Sequence, residues 1–165
     1  MRRGIFMSMI GTFGLCVKNN YDNLVSAIKD NQLDKMEDLV KKICDELESE
    51  IFTEQSNMCS GEVYIALFQY FEREFGIDFE KNEDFNRVRE SWREITGDYD
   101  IVVFSEIEKD KFLSYEDRID HTQIQQYINE FFEEDYGNAG EIACNNFFES
   151  LRKIEKNSVL IWHLC

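Results

Sequence analysis

Three short β-forming runs stand among long stretches in which apolar residues recur every three or four positions. They lie near the two ends and the middle of the chain: Ile5–Val17, Tyr99–Phe104 and Ser158–Leu164. β-branched and aromatic residues dominate them, and they lack a helical period. The Ile101-Val102-Val103 run predicts a strand buried on both faces. Three strands set so far apart cannot form a continuous β fold. They predict a small sheet with helices laid against it.

The intervening segments supply the helices. One is expected at Tyr21–Asp30, after a turn at Asn19-Asn20. A longer one spans Leu33–Ile51, with Met36, Leu39, Val40, Ile43 and Leu47 on one stripe. Residues 53–60 read as a loop, and Ser60 is placed to cap a helix running to Phe75, where Gly76 stops it. A fourth helix is expected over Asp84–Ile95, closed by Gly97. Residues 105–120 read as charged and irregular, with one turn at 114–117. A fifth helix spans Thr122–Asp135, with Ile124, Tyr127, Ile128 and Phe131 inward. Asn138 and Glu141 have capping-box spacing and open a sixth helix carrying Phe147 and Leu151. The expected class is α+β, helix-rich, with a three-stranded sheet covered by about six helices. No linker divides the chain, so residues 1–165 read as one globular domain. Met7 and Met9 are alternative starts that leave residues 1–6 as an extension.

Acid outnumbers base almost two to one. The chain has 34 Asp+Glu against 18 Lys+Arg, a formal charge of −16 over 165 residues. It is not a disordered acidic tail, because it is 43% hydrophobic and contains 14 Phe. So negative a surface repels nucleic acid and anionic membrane and attracts cations. Five cysteines, without C-x-x-C spacing, argue against a disulfide framework or zinc ribbon and for reduced thiols in a cytoplasmic protein. Arg2 and Arg3 before an apolar run imitate a signal peptide. Leu15 is too bulky for the cleavage position, and Gly11, Thr12 and Gly14 dilute the run.

Signatures of chemistry are absent. His121 and His163 are the two histidines, and no H-E-x-x-H is present. Gly11–Gly14 lacks the lysine of a phosphate-binding loop. Asp78–Arg89 has Glu83 and Arg89 where a calcium loop needs Gly and Glu. Arg87, Arg89 and Arg93 interleave with Glu90 and Glu94, which suggests pairs within the helix rather than a nucleic-acid patch. No cofactor and no metal site are expected, and no catalytic residue is assigned.

The acids are unevenly spread. From Ile119 to Leu151 there are seven acids and no Lys or Arg. Glu130, Glu133 and Glu134 lie one helical turn apart, and Asp135 and Glu141 extend them. Like charges at this spacing cost a few tenths of a kcal/mol per pair, and they sit at the negative end of the helix dipole. These five, together with Asp98 and Asp100, are the candidate partner-binding acids. Tyr99, Tyr127, Tyr136 and Tyr115 are candidate aromatic anchors near them.

Met7-Ser8-Met9-Ile10-Gly11, Phe147-Phe148 through Leu151, and Ser158-Val159-Leu160-Ile161-Trp162 resemble the opening, final helix and final strand of the YfbM-like bacterial proteins. That resemblance implies a bacterial, cytosolic α+β domain and carries over no site residue. By size, charge and reduced cysteines the chain also resembles immunity proteins paired with bacterial toxins. The expected function is therefore an acidic binding protein that neutralises a cationic partner, most concretely an immunity protein for a nuclease-type toxin. The alternatives are a small carboxylate- or metal-dependent enzyme or ligand-binding protein, a phage-encoded inhibitor or DNA mimic, and an assembly subunit.

Overall fold

The three runs marked as strands pair into one sheet. In the computed structural model, which describes residues 9–49 and 61–165, β1 is Gly11–Val17, β2 is Asp100–Phe104 and β3 is Ser158–Leu164. The order is β1-β3-β2, and both outer strands run antiparallel to β3. Trp162 lies opposite Phe13 on one side and Val102 on the other. The sequence reading of Ile5–Val17 overextends this strand within the described residues, and residues 5–8 lie outside them.

Among the described residues the α-helices are α1 (Lys18–Lys29), α2 (Leu33–Ser49), α3 (Gly61–Phe75), α4 (Glu83–Thr96), α5 (Glu106–Leu113), α6 (His121–Phe132) and α7 (Ala139–Arg152). A single turn of 3-10 helix spans Glu116–Arg118. The architecture is helix-rich α+β. The expected loop over 53–60, the Ser60 cap and the helix end at Ile51 lie outside the described residues. No described helix is long and apolar enough to cross a membrane.

Strand alternation sorts the core into two layers. Phe13, Val102, Phe104, Leu160 and Trp162 face α3, α6 and α7, where Leu67, Phe71 and Phe147 meet them. Ile101, Val103, Val159 and Ile161 face α1, α2 and α4, against Leu24, Ile43 and Trp92. Helices on both faces leave β2 buried along its length, as its apolar run demands. Each fully buried large apolar side chain contributes about 2 kcal/mol. Gly14 permits a close approach of β1 to α2: a Cβ there would lie 2.8 Å from Leu47 Cδ2 and 3.3 Å from the Leu47 backbone.

Four local expectations are corrected. Asn19 and Asn20 are helical, because α1 starts at Lys18, directly after β1. The Asn20 amide is buried and bonds Glu46 of α2, whose carboxylate also accepts from Val17 N–H at 3.1 Å. Residues 105–120 hold a helix, α5. Its first turn is closed by Glu108, which accepts from the Ser105 N–H at 2.7 Å and from the Ser105 hydroxyl. α6 ends at Phe132, three residues early, because Glu133 turns left-handed with φ 56°. Asn138 makes no side-chain cap to α7. α4 matches its reading in extent and in Gly97, which closes the helix at φ 75°; its start is capped by Asn82, which accepts from Phe85 N–H at 2.9 Å.

Candidate functional site

Asp120 starts α6 by accepting from the N–H groups of Thr122 and Gln123 at 2.9 and 3.2 Å. From that fixed start, His121, Gln125 and Asn129 run along one side of the helix towards Glu133 at its C-cap. The connection through Asp135 and Gly137 then brings α7 back beside it. Gln125 Oε1 accepts from Gly140 N–H at 2.8 Å, and Asn129 Oδ1 accepts from Tyr136 N–H at 2.9 Å. The two amides are themselves joined at 2.9 Å. This stitching holds open a depression of about 770 Å³ between α6, the connection and the start of α7.

Five carboxylates line it: Glu130, Glu133, Glu134, Asp135 and Glu141. All five residues are exposed. Glu130 accepts from Gln126 at 2.9 Å, and Asp135 accepts from Gly137 N–H at 2.9 Å. Among the described residues none of the five is in an ion pair. The five acids singled out from the sequence thus share one concave face, although Glu133, Glu134 and Asp135 lie beyond the helix rather than on its side.

Asp98, Tyr99 and Asp100 do not join them. Asp98 is exposed in the left-handed turn before β2, at φ 78°. Asp100 is a correction: it is 9% exposed and committed to arginines. Arg89 grips it with two bonds of 2.6 Å, Arg93 adds a third at 2.8 Å, and Asp100 also accepts from Ile101 N–H at 2.9 Å. Burial works to raise its pKa, but the two guanidinium groups override it and hold the carboxyl below the usual carboxylate range. The intrahelical pairs expected with Glu90 and Glu94 do not form among the described residues; Arg87 instead bonds Glu83 at 2.5 Å, and Arg89 and Arg93 go to Asp100. Tyr99 packs edge-on against His163, 5.5 Å between ring centroids.

The remaining tyrosines already carry partners. Arg73 lies 4.7 Å over Tyr127. Tyr136 stacks on Phe132 at 4.4 Å. Tyr115 lies parallel to Phe75 at 4.6 Å, with Arg118 at 4.7 Å. Phe131, expected inward, is 42% exposed at the end of α6, between the acidic residues Glu130 and Glu133. The three-four stripe concealed this, because α6 ends one residue later.

A second depression, of about 330 Å³, places Cys144 and His121 together with Glu116, Glu149 and Arg152. Burial first, then Glu116 and Glu141, pushes the Cys144 thiol up to about 12, so it is not a thiolate nucleophile at neutral pH. A third, of about 250 Å³, lies at the end of the sheet where Lys81 meets Glu108 at 3.1 Å and donates to the Val103 carbonyl. Each of its five charges has a partner: Lys18 with Asp22, Lys29 with Asp84, and Lys81 with Glu108. Among the described residues no group of three His, Cys, Asp or Glu is placed to hold a metal ion.

No protein-family model, curated protein or solved structure matches this chain. The arrangement offers unpaired negative charge on a concave face, with an exposed ring at the end of α6. Among the described residues it offers no activated nucleophile.

Proposed function

We propose that the protein is a cytoplasmic acidic binding protein that docks a cationic protein partner on the face between α6 and α7. The partner class that fits best is a nuclease-type toxin domain, whose basic substrate groove the carboxylates occupy in place of phosphate. One observation carries this reading: five carboxylates line one depression, none of them in an ion pair among the described residues, in a stretch of 33 residues without Lys or Arg. A face built for solubility alone gains nothing from collecting like charges at the negative end of a helix. Long-range attraction to a basic groove speeds association and falls off with salt. Against an enzymatic reading stand the protonated Cys144 and the paired charges of the sheet-end pocket. The YfbM-like resemblance adds no residue role.

The test is capture with the immobilised protein at low salt, beside a variant carrying Glu130→Gln, Glu133→Gln, Glu134→Gln, Asp135→Asn and Glu141→Gln. The reading expects a basic protein that is released by raised salt, lost by the variant, and inhibited stoichiometrically in a nuclease assay. An acidic partner, or one held equally by the variant, overturns it.

A further inference from the structure

We infer that the exposed ring of Phe131 seats an arginine guanidinium of the partner. The inference rests on the docking reading above and adds a specific contact to it. Elsewhere on this molecule aromatic surface carries the chain's own guanidinium groups. Arg73 lies 4.7 Å from the centre of Tyr127 and 5.9 Å from that of Tyr70. Arg118 lies 5.1 Å from Phe75 and 4.7 Å from Tyr115. Phe131 is the next ring after Tyr127 on the same side of α6, 6.5 Å from it, and among the described residues no cation covers it.

The ring is also held in place. Phe132 meets it edge-on at 4.9 Å and is itself stacked on Tyr136 at 4.4 Å. A preordered ring loses little freedom on binding. Its sequence neighbours Glu130, Glu133 and Glu134 attract the same charge that its face accepts. Among the described residues Tyr99 is comparably exposed, but its ring already packs edge-on against His163, and the neighbouring Asp100 is paired with Arg89 and Arg93. A planar guanidinium stacks on a ring face, whereas an ammonium is more strongly hydrated, so arginine is the expected occupant.

The experiment titrates hexa-arginine and hexalysine peptides into the full chain, into Phe131→Leu and Phe131→Ala, and into the five-acid variant, at low and high salt. Both Phe131 variants are expected to weaken hexa-arginine binding about threefold. Hexalysine binding is expected to change less, and the salt dependence to stay the same. The five-acid variant is expected to lose the salt dependence and most of the binding to both peptides. If Phe131 variants bind hexa-arginine like the parent while the five-acid variant does not, the ring plays no part and the docking reading stands. Equal losses for both peptides overturn the arginine assignment. If the five-acid variant binds like the parent, the docking reading itself falls.

Discussion

Gln125 closes the amino end of a helix to which it does not belong: its side-chain oxygen accepts the Gly140 N–H of α7 at 2.8 Å. The first amides of a helix have no partner within it. Asn138, the residue with capping chemistry, makes no such bond. The same glutamine donates to Asn129, which holds Tyr136, so one side chain sets both the spacing of α6 and α7 and the wall of the acidic depression. Gly140 keeps the two helices close, since a Cβ there would meet Ile128 Cδ1 at 2.8 Å and the Gln125 oxygen at 3.0 Å.

Gln125→Leu is accordingly expected to cost about 1 kcal/mol, the usual worth of a lost cap. That corresponds to roughly 2–4 °C in Tm for a chain of this size. Gln126→Leu removes only an exposed bond to Glu130 and is expected to stay within about 0.5 kcal/mol of the parent. Urea denaturation of the two variants makes the comparison. Equal effects would mean that the cross-helix cap contributes nothing.

Asp100 supplies the second expectation. Its folded pKa is depressed by Arg89 and Arg93 relative to the unfolded chain, so the folded state binds the proton less readily. The resulting stability is present above the unfolded value, about 3.9, and is lost as pH falls through the lower folded value. Asp100→Asn removes that dependence and leaves the arginines without their anion. With Arg93 partly exposed, the expected cost is about 2 kcal/mol, below that of a fully buried pair. Unfolding free energies measured from pH 7 down to pH 2 should show a flatter acid limb in the variant. An unchanged limb would remove the pair from the account.

The contrast between Asp100 and the acids of the depression shows what the sequence makes legible. The Ile101-Val102-Val103 run marks β2, Gly97 ends α4, and the absence of Lys and Arg over Ile119–Leu151 marks an unpaired acidic stretch. Each of these is a local signal. Asp100 is paired by residues 11 and 7 positions earlier, which reach it only because the chain reverses at Gly97. No spacing rule encodes that reversal. α5 had a readable start in Ser105 and Glu108, but its apolar stripe reduces to the single buried residue Phe112, so periodicity was silent. The Gln125 cap belongs with Asp100, because its partner is fixed only by the packing of α6 against α7.

His163 gives a separate pH window. It lies on the central strand, edge-on to Trp92 at 5.6 Å, and both His163 Nε2 and Trp92 Nε1 are buried without a hydrogen-bond partner. Burial lowers its pKa, with Asp100 opposing. The folded state therefore holds the imidazole neutral longer than the unfolded chain does. Its contribution is present above the unfolded value, about 6.5, and is lost as pH falls through the depressed folded value. His163→Phe is expected to flatten stability across that window, well above the range in which Asp100 titrates. It also removes an unsatisfied nitrogen, so the variant is expected to be at least as stable as the parent near pH 5. A steeper loss on acidification in the variant would contradict this.

Glu133 is poorly suited to its place by folding criteria. It closes α6 in the left-handed region at φ 56°, where glycine is ordinarily found. It also puts a negative charge at the negative end of the helix dipole, close in sequence to Glu130, Glu134 and Asp135. Glu133→Gly relieves both conflicts and is expected to raise stability by about 0.5–1 kcal/mol, most at low ionic strength, where repulsion is least screened. The same substitution removes one of the five carboxylates and is expected to weaken hexa-arginine binding. Opposite signs for stability and binding are the mark of a residue kept for recognition. Denaturant unfolding at two salt concentrations, paired with peptide titration, reads both signs on one variant. A gain in stability with unchanged binding would make Glu133 a surface charge with no role in docking.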